Sequence, residues 1–181
     1  MPAPTGLITA GQLERRPEDL ARGELVAGRF VPMTPVGFEH GRVVCRLLFL
    51  LARHLEGHDL GVAVTEVGLT LATDPDTVRA PDVAFIRQDR IPPLHQRGFL
   101  RGPVDLVIEV LSPDDRAADV SAKTEEYLTH GVIIVLVVDP DAKTVGVHRR
   151  LSLPLTLRDA DTLDIDDVVA GFRCDIREIF K

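Results

Sequence analysis

Two acidic residues sit where apolar ones would be expected. In VRAPDVAFI, Asp82 follows Pro81 and precedes an apolar run; in VDLVIEVLS, Glu109 interrupts a second one. A carboxylate drawn out of water is costly unless it is paired or bound to a cation. Two carboxylates brought together repel, and one takes up a proton. A divalent metal resolves that conflict, because Mg²⁺ prefers oxygen ligands and commonly uses one or two carboxylates together with waters and phosphate oxygens. Lys123, three residues after Val120 and four before Tyr127, falls at the border of a helix's apolar face. An ammonium there could orient a water and offset negative charge developing on a phosphate. Each residue alone has an ordinary reading. A strand Glu is often an edge or ion-pair residue, Asp after Pro is a common turn pair, and Lys123 beside Glu126 and Tyr127 could be plain helix surface. It is the combination on adjoining elements that points to metal-assisted hydrolysis.

The elements that must carry these residues follow from periodicity. On a strand, Asp105, Val107 and Glu109 share one face while Leu106, Ile108 and Val110 share the other. The even face is apolar and must meet the core, so Glu109 points the opposite way near the strand's carboxyl end, a favoured place for ligands in sheet proteins. The following SPDDRAADVSAKTEEYLTHG predicts a helix with a Gly131 stop, and VIIVLVVDP a strand covered on both faces. A strand–helix–strand unit over 104–138 implies a right-handed crossover and a parallel pair in a mixed sheet. Upstream, Thr9 and Gln12 predict a capped short helix, and GELVAGRFVPMTP a hairpin turning at Ala27-Gly28. Phe38 to about Leu55 predicts a long helix, with Val44, Leu47, Leu48, Leu51 and Leu55 on its buried stripe. A β-rich middle, a proline-marked loop over 87–103, a β segment near Leu153 to Leu157 and a short helix at DIREIF complete the chain. The expected fold is α/β (α+β mixed) around one central sheet, as a single domain over 1–181.

The 181 residues are 45% hydrophobic and 27% charged, which is globular composition, and with no Trp the core must be aliphatic. The net charge of -7 disfavours binding a polyanion by charge alone. Basic residues cluster only as Arg15-Arg16, Arg97 with Arg101, and Arg149-Arg150, so a polyanion would need bound cations or an oligomer that pools its patches. Cys45 and Cys174 are too few for a disulfide framework, and Cys45 among apolar neighbours reads as a buried thiol. The six histidines lack metal-site spacing. No apolar stretch reaches the roughly 20 residues of a membrane helix, and the N-terminus lacks a secretory pattern, so a cytoplasmic protein with no membrane partner is expected.

At RAPDVAFI, DLVIEVLSPDDRAADVSAKTEEYLTHGV and VVDPDAKTVGVHR the sequence resembles the Uma-two family of restriction endonucleases, in the PD-(D/E)XK nuclease superfamily. The likeness runs nearly end to end. It implies a restriction-endonuclease-like fold, a central mixed sheet flanked by helices, and a site that uses Mg²⁺ (or Mn²⁺) to hydrolyse a phosphodiester. By position, Asp82 is the first acid and Glu109 the second. The lysine slot two residues after Glu109 holds Leu111, and in this family the lysine comes from the following helix, which indicates Lys123. Where the family carries acids around its early turn, this chain has Ala27 and Arg29, and Ile133-Ile134 replaces more polar residues.

The resemblance implies that Asp82, Glu109 and the Val110 carbonyl bind the metal, with Glu66 in TEVGL as a further carboxylate from a neighbouring strand. His40 matches a histidine often found at that helix start, where it would contact phosphate or water; its simpler reading is a satisfied surface histidine. DNA is the expected substrate and a homodimer the expected assembly. The residues leave two rivals open: an inactive nuclease-fold module that binds metal or DNA, and a phosphoesterase acting on a small substrate.

Overall fold

Thr9 begins the first helix as its spacing predicts. Its hydroxyl accepts from the Gln12 amide while the Gln12 side chain accepts from the Thr9 amide, closing a capping box on α1 (Ala10–Glu14). The computed structural model describes residues 6–15, 22–93 and 97–181; Arg16, one of the basic residues noted above, lies outside them. The chain forms two compact units, each assembled from separated stretches: Met1–Pro35, Glu66–Pro81 and Pro92–Pro103 in the first, Val36–Thr65, Asp82–Ile91 and Val104–Lys181 in the second.

In the first unit, β1 (Gly23–Val26) and β2 (Arg29–Pro32) form the expected hairpin. Ala27 and Gly28 take φ of 47° and 75°, the left-handed pair that a two-residue turn demands. A five-stranded sheet follows in the order β2-β1-β5-β4-β7, with β4 at Leu69–Ala72, β5 at Thr77–Arg79 and β7 at Leu100–Arg101. Its small core gathers Ala10, Leu13, Leu25 and Val78, backed by Ile8, Phe30 and Phe99. Glu24 is buried here, and its carboxylate accepts from Arg79 Nη1 at 2.8 Å and from the Ala80 amide at 3.0 Å.

The second unit is built on a mixed six-stranded sheet in the order β11-β10-β9-β8-β6-β3. The strands are β3 (Gly61–Val64), β6 (Val83–Arg87), β8 (Leu106–Val110), β9 (Ile134–Asp139), β10 (Thr144–Arg149) and β11 (Leu155–Leu157). Strands β8 and β9 pair in parallel around α3 (Ala117–Thr129), as the strand–helix–strand pattern requires, and the other pairings are antiparallel. Leu106, Ile108 and Val110 of β8, with Ile134, Leu136 and Val138 of β9, enter one core together with α2 (Phe38–Leu55). Val107 and Val135 are buried on the opposite face, where α3 buries Thr124 and Tyr127. Both faces are covered, which is why β9 reads as an unbroken apolar run.

Helix α2 spans the predicted residues, but its most buried stripe is Val43, Leu47, Leu50 and Leu51; Val44, Leu48 and Leu55 are only partly covered. That rotation leaves Cys45 exposed, so the expectation of a buried thiol fails: apolar sequence neighbours do not share a helix face. The tail adds a hairpin of β12 (Thr162–Asp164) and β13 (Arg173–Asp175) before α4 (Ile176–Ile179). Helix α4 falls at the expected DIREIF, whereas the strands of the hairpin are too short for a period-two pattern to show. Among the described residues no helix is long and apolar enough to cross a membrane.

Candidate active site

The antiparallel ladder between β6 and β8 pairs Val83 with Ile108 and Ala84 with Val107. One step further along the same register sets Asp82 across from Glu109. Backbone hydrogen bonding, rather than any feature of the acids themselves, therefore brings two carboxylates to one end of adjacent strands. Asp82 is anchored there, with Oδ2 accepting from the Val110 amide at 2.7 Å.

The crossover helix supplies the rest. Lys123 Nζ lies 2.9 Å from Glu109 Oε1, and the Tyr127 hydroxyl donates to the same oxygen at 2.7 Å. Lys123 and Tyr127 are four residues apart and therefore face the strand together. Burial pushes the Glu109 carboxyl above its ordinary range; the Lys123 ammonium pulls against it, the Asp82 charge adds to the push, and the bonds from Lys123 and Tyr127 favour the ionised form.

From α2, His40 brings Nε2 to 3.3 Å from Asp82 Oδ2. It is 8% exposed, so the reading of a surface histidine is overturned: one turn into the helix, it points inward toward an acid. Its pKa is raised, first by the Asp82 hydrogen bond and against the cost of burial, with further support from the Asp82 charge, the Val110 backbone and the Asp115 charge. Nδ1 is buried without a hydrogen-bond partner among the described residues. The ring borders a cleft of ≈ 360 Å³ whose walls include Phe38, Glu39, Ser112, Asp115 and Asp139.

The cluster is thus His40, Asp82, Glu109, Lys123 and Tyr127, all within the second unit. Glu66 belongs to the first unit. It lies in the bend after β3 rather than in a strand, exposed, at φ 51°, its amide bonded to the Pro81 carbonyl at 3.2 Å. Leu111, in the superfamily's lysine slot, is half-buried after β8. Tyr127 was legible as a core residue but not as the donor to Glu109. Its position four residues after Lys123, on the same face, was the available signal.

Among the described residues no three His, Cys, Asp or Glu side chains converge as a metal centre. The donor chemistry nevertheless fits a cation that keeps most of its waters. Asp82 engages the Val110 amide and His40 through Oδ2, and Glu109 engages Lys123 and Tyr127 through Oε1. One or two carboxylates are what Mg²⁺ commonly takes from a protein.

The architecture and the comparison of structures agree on a class. A crystal structure of a putative nuclease belonging to DUF820 from Anabaena variabilis superposes with a TM-score of 0.83, covering 96% of this chain and 97% of that one at 21% identity. The fold is therefore a mixed α/β nuclease fold. The chain belongs to the Uma2 (Uma-two) family, described as "Putative restriction endonuclease", whose family model matches residues 10–177. No curated protein matches the chain.

Proposed function

We propose that the protein is a divalent-metal-dependent endonuclease that hydrolyses DNA phosphodiester bonds, with Asp82, Glu109 and Lys123 as its catalytic residues. The observation that carries this reading is the meeting of acids from adjacent strands with the crossover-helix lysine, 2.9 Å from Glu109. Family membership and the nuclease named in the structural neighbour support it. Asp82 and Glu109, with the Val110 carbonyl, would hold Mg²⁺ or Mn²⁺. When bound, the ion supplies charge stabilisation at the phosphate and a more acidic attacking water.

The chain's own residues do the positioning. The Val110 amide and His40 hold the Asp82 carboxylate in place through Oδ2. Lys123 and Tyr127 favour the ionised form of Glu109, opposing the larger effect of burial. Lys123 Nζ, already beside that carboxylate, orients the attacking water and offsets charge on the phosphate. His40, which lines the cleft, is the residue for contact with a phosphate oxygen or a water. A homodimer would set two such sites on one duplex, as cutting both strands requires. A cytoplasmic setting, where DNA is at hand, completes the reading.

A second reading has one observation in its favour: the cleft beside His40 carries Glu39, Asp115 and Asp139, and the chain's net charge is -7. Such a rim repels phosphate and would suit an inactive module that keeps the cation site. Nicking of supercoiled plasmid with Mg²⁺ or Mn²⁺ separates the two. The parent is expected to nick; Asp82→Ala and Glu109→Ala lose the activity, and Lys123→Ala loses about 10²–10³ in rate, the usual loss of an electrostatic stabiliser. Equal cleavage by all three variants would refute the assignment. A parent that binds Mn²⁺ through Asp82 without nicking supports the module instead.

A further inference from the structure

From the end of β10 into the start of β11 the chain reads RLSLPL over residues 150–155, and it holds three large apolar side chains in solvent. Leu151 is 98% exposed, Leu153 93% and Leu155 55%. Leu151 also adopts φ 61°, a left-handed conformation for which glycine or asparagine is the low-energy choice. A leucine that is strained and uncovered at once is retained most simply because its side chain has something to meet. The same arm leads into β11, the edge strand of the six-stranded sheet, whose outer side has no neighbouring strand among the described residues.

Beside this arm lies the largest cleft of the second unit among those described, ≈ 590 Å³, with the arm's Ser152 and Pro154 as one wall and α3, β9 and β10 as the others. Its apolar surface comes from Val120, Leu128 and Val137, and its acids are Asp115 and Glu125. The arm carries the opposite charge in Arg150, which is exposed next to Leu151.

We propose that the Leu151–Leu155 arm of one chain docks into the α3 cleft of a second copy, which returns its own arm, forming a two-fold homodimer. Ridge and groove lie side by side on one chain, so a two-fold partner satisfies both in a single contact. Arg150 from one copy meets the acidic wall of Asp115 and Glu125 on the other, and the leucines cover the apolar floor. None of these residues belongs to the His40–Asp82–Glu109–Lys123–Tyr127 cluster, so the interface stands whether or not the chain cleaves DNA.

The test is sedimentation equilibrium of the full chain. The parent is expected at twice the 19.8 kDa chain mass. Leu151→Asp with Leu153→Asp is expected to raise the dimer dissociation constant by about 10⁴-fold or more, since the two-fold contact loses four leucines and burying each is worth a factor of about ten or greater. Far-UV circular dichroism of the variant should match the parent, because both side chains are already in solvent within the single chain. From the other side, Ser121→Trp fills the cleft from an exposed position and should give the same dissociation. A parent that stays monomeric at its highest soluble concentration overturns the proposal. So do variants that remain as dimeric as the parent, or a monomer that cosediments with phosphatidylcholine vesicles through the leucine arm.

Discussion

Tyr127→Phe isolates one hydrogen bond in the cluster. The side chain is fully buried, and its hydroxyl donates to Glu109 Oε1 at 2.7 Å. Phenylalanine keeps the ring, its packing and its place near Lys123 Nζ, 6.0 Å from the ring centre. What is lost is a bond to a carboxylate, and bonds to charged groups are worth about 1.5–3 kcal/mol. For a chain of this size each kcal/mol moves the melting midpoint by about 2–4 °C, so a fall of roughly 3–12 °C is expected where Glu109 is ionised. The effect has a sign in pH. The Tyr127 bond favours the ionised carboxyl, so the variant's Glu109 pKa rises further above the ordinary range than the parent's. The stability gap therefore opens as pH rises through the Glu109 titration and narrows in acid, where the carboxyl is protonated in both proteins.

Two assays read this. Thermal melts from pH 5 to 9 in chelator give the stability gap without any cation. Plasmid nicking over the same range gives the rate profile, whose acid limb should move to higher pH in the variant because the cation needs an ionised carboxylate. A stability loss that is flat with pH, together with an unmoved rate profile, would show that the hydroxyl does not serve an ionised Glu109.

Two further expectations test the other buried polar groups. His40 has a raised pKa through Asp82, so its contribution to stability is present below its unfolded pKa and is lost as pH rises through the folded one; His40→Asn should cost stability at pH 5.5 and little at pH 8.5 in chelator melts, and the reverse order would refute the His40–Asp82 pairing. Asp105 is fully buried, accepting from the Arg87 amide at 2.9 Å and from Arg90 Nη1 at 2.8 Å, so Asp105→Ala should destabilise the fold by about 1–3 kcal/mol, read by urea unfolding. A cost under about 1 kcal/mol would mean the pair is solvent-screened in solution.

Asp105 and Glu109 occupy one strand face and would look alike to any count of acids in apolar runs. Their positions along the strand separate them. Asp105 lies at the amino end, where Arg87 at the end of β6 and Arg90 just beyond it satisfy it, and Glu109 lies at the carboxyl end beside a lysine, a tyrosine and another acid. Period-two alternation was enough to place Glu109 off the α2 core, and helical spacing to place Lys123 and Tyr127 on one side of α3. Residues distant in sequence were harder to read. The Arg90 partner of Asp105, the inward turn of His40 and the Val110 amide on Asp82 depend on register between strands and on helix rotation, which one chain's pattern does not fix. The one-position error in the α2 stripe shows the limit: nearly every third and fourth residue there is apolar, so periodicity chose the helix but not its rotation.

The lysine's place on the helix has a structural consequence that the fold makes definite. A lysine two residues after Glu109 would have shared its strand face and reached the acid along the backbone; here that slot is Leu111, at the lip of the cleft. The ammonium instead crosses from α3, so its distance to Glu109 is set by how the crossover helix packs on β8 and β9. Tyr127, buried on the same helix face and bonded to the same carboxylate oxygen, fixes that packing at one point. A strand-borne lysine would be held in place by the sheet's own hydrogen bonds, whereas a helix-borne one needs this second tether. The buried hydroxyl on α3 is then explained as the group that keeps Lys123 beside Glu109.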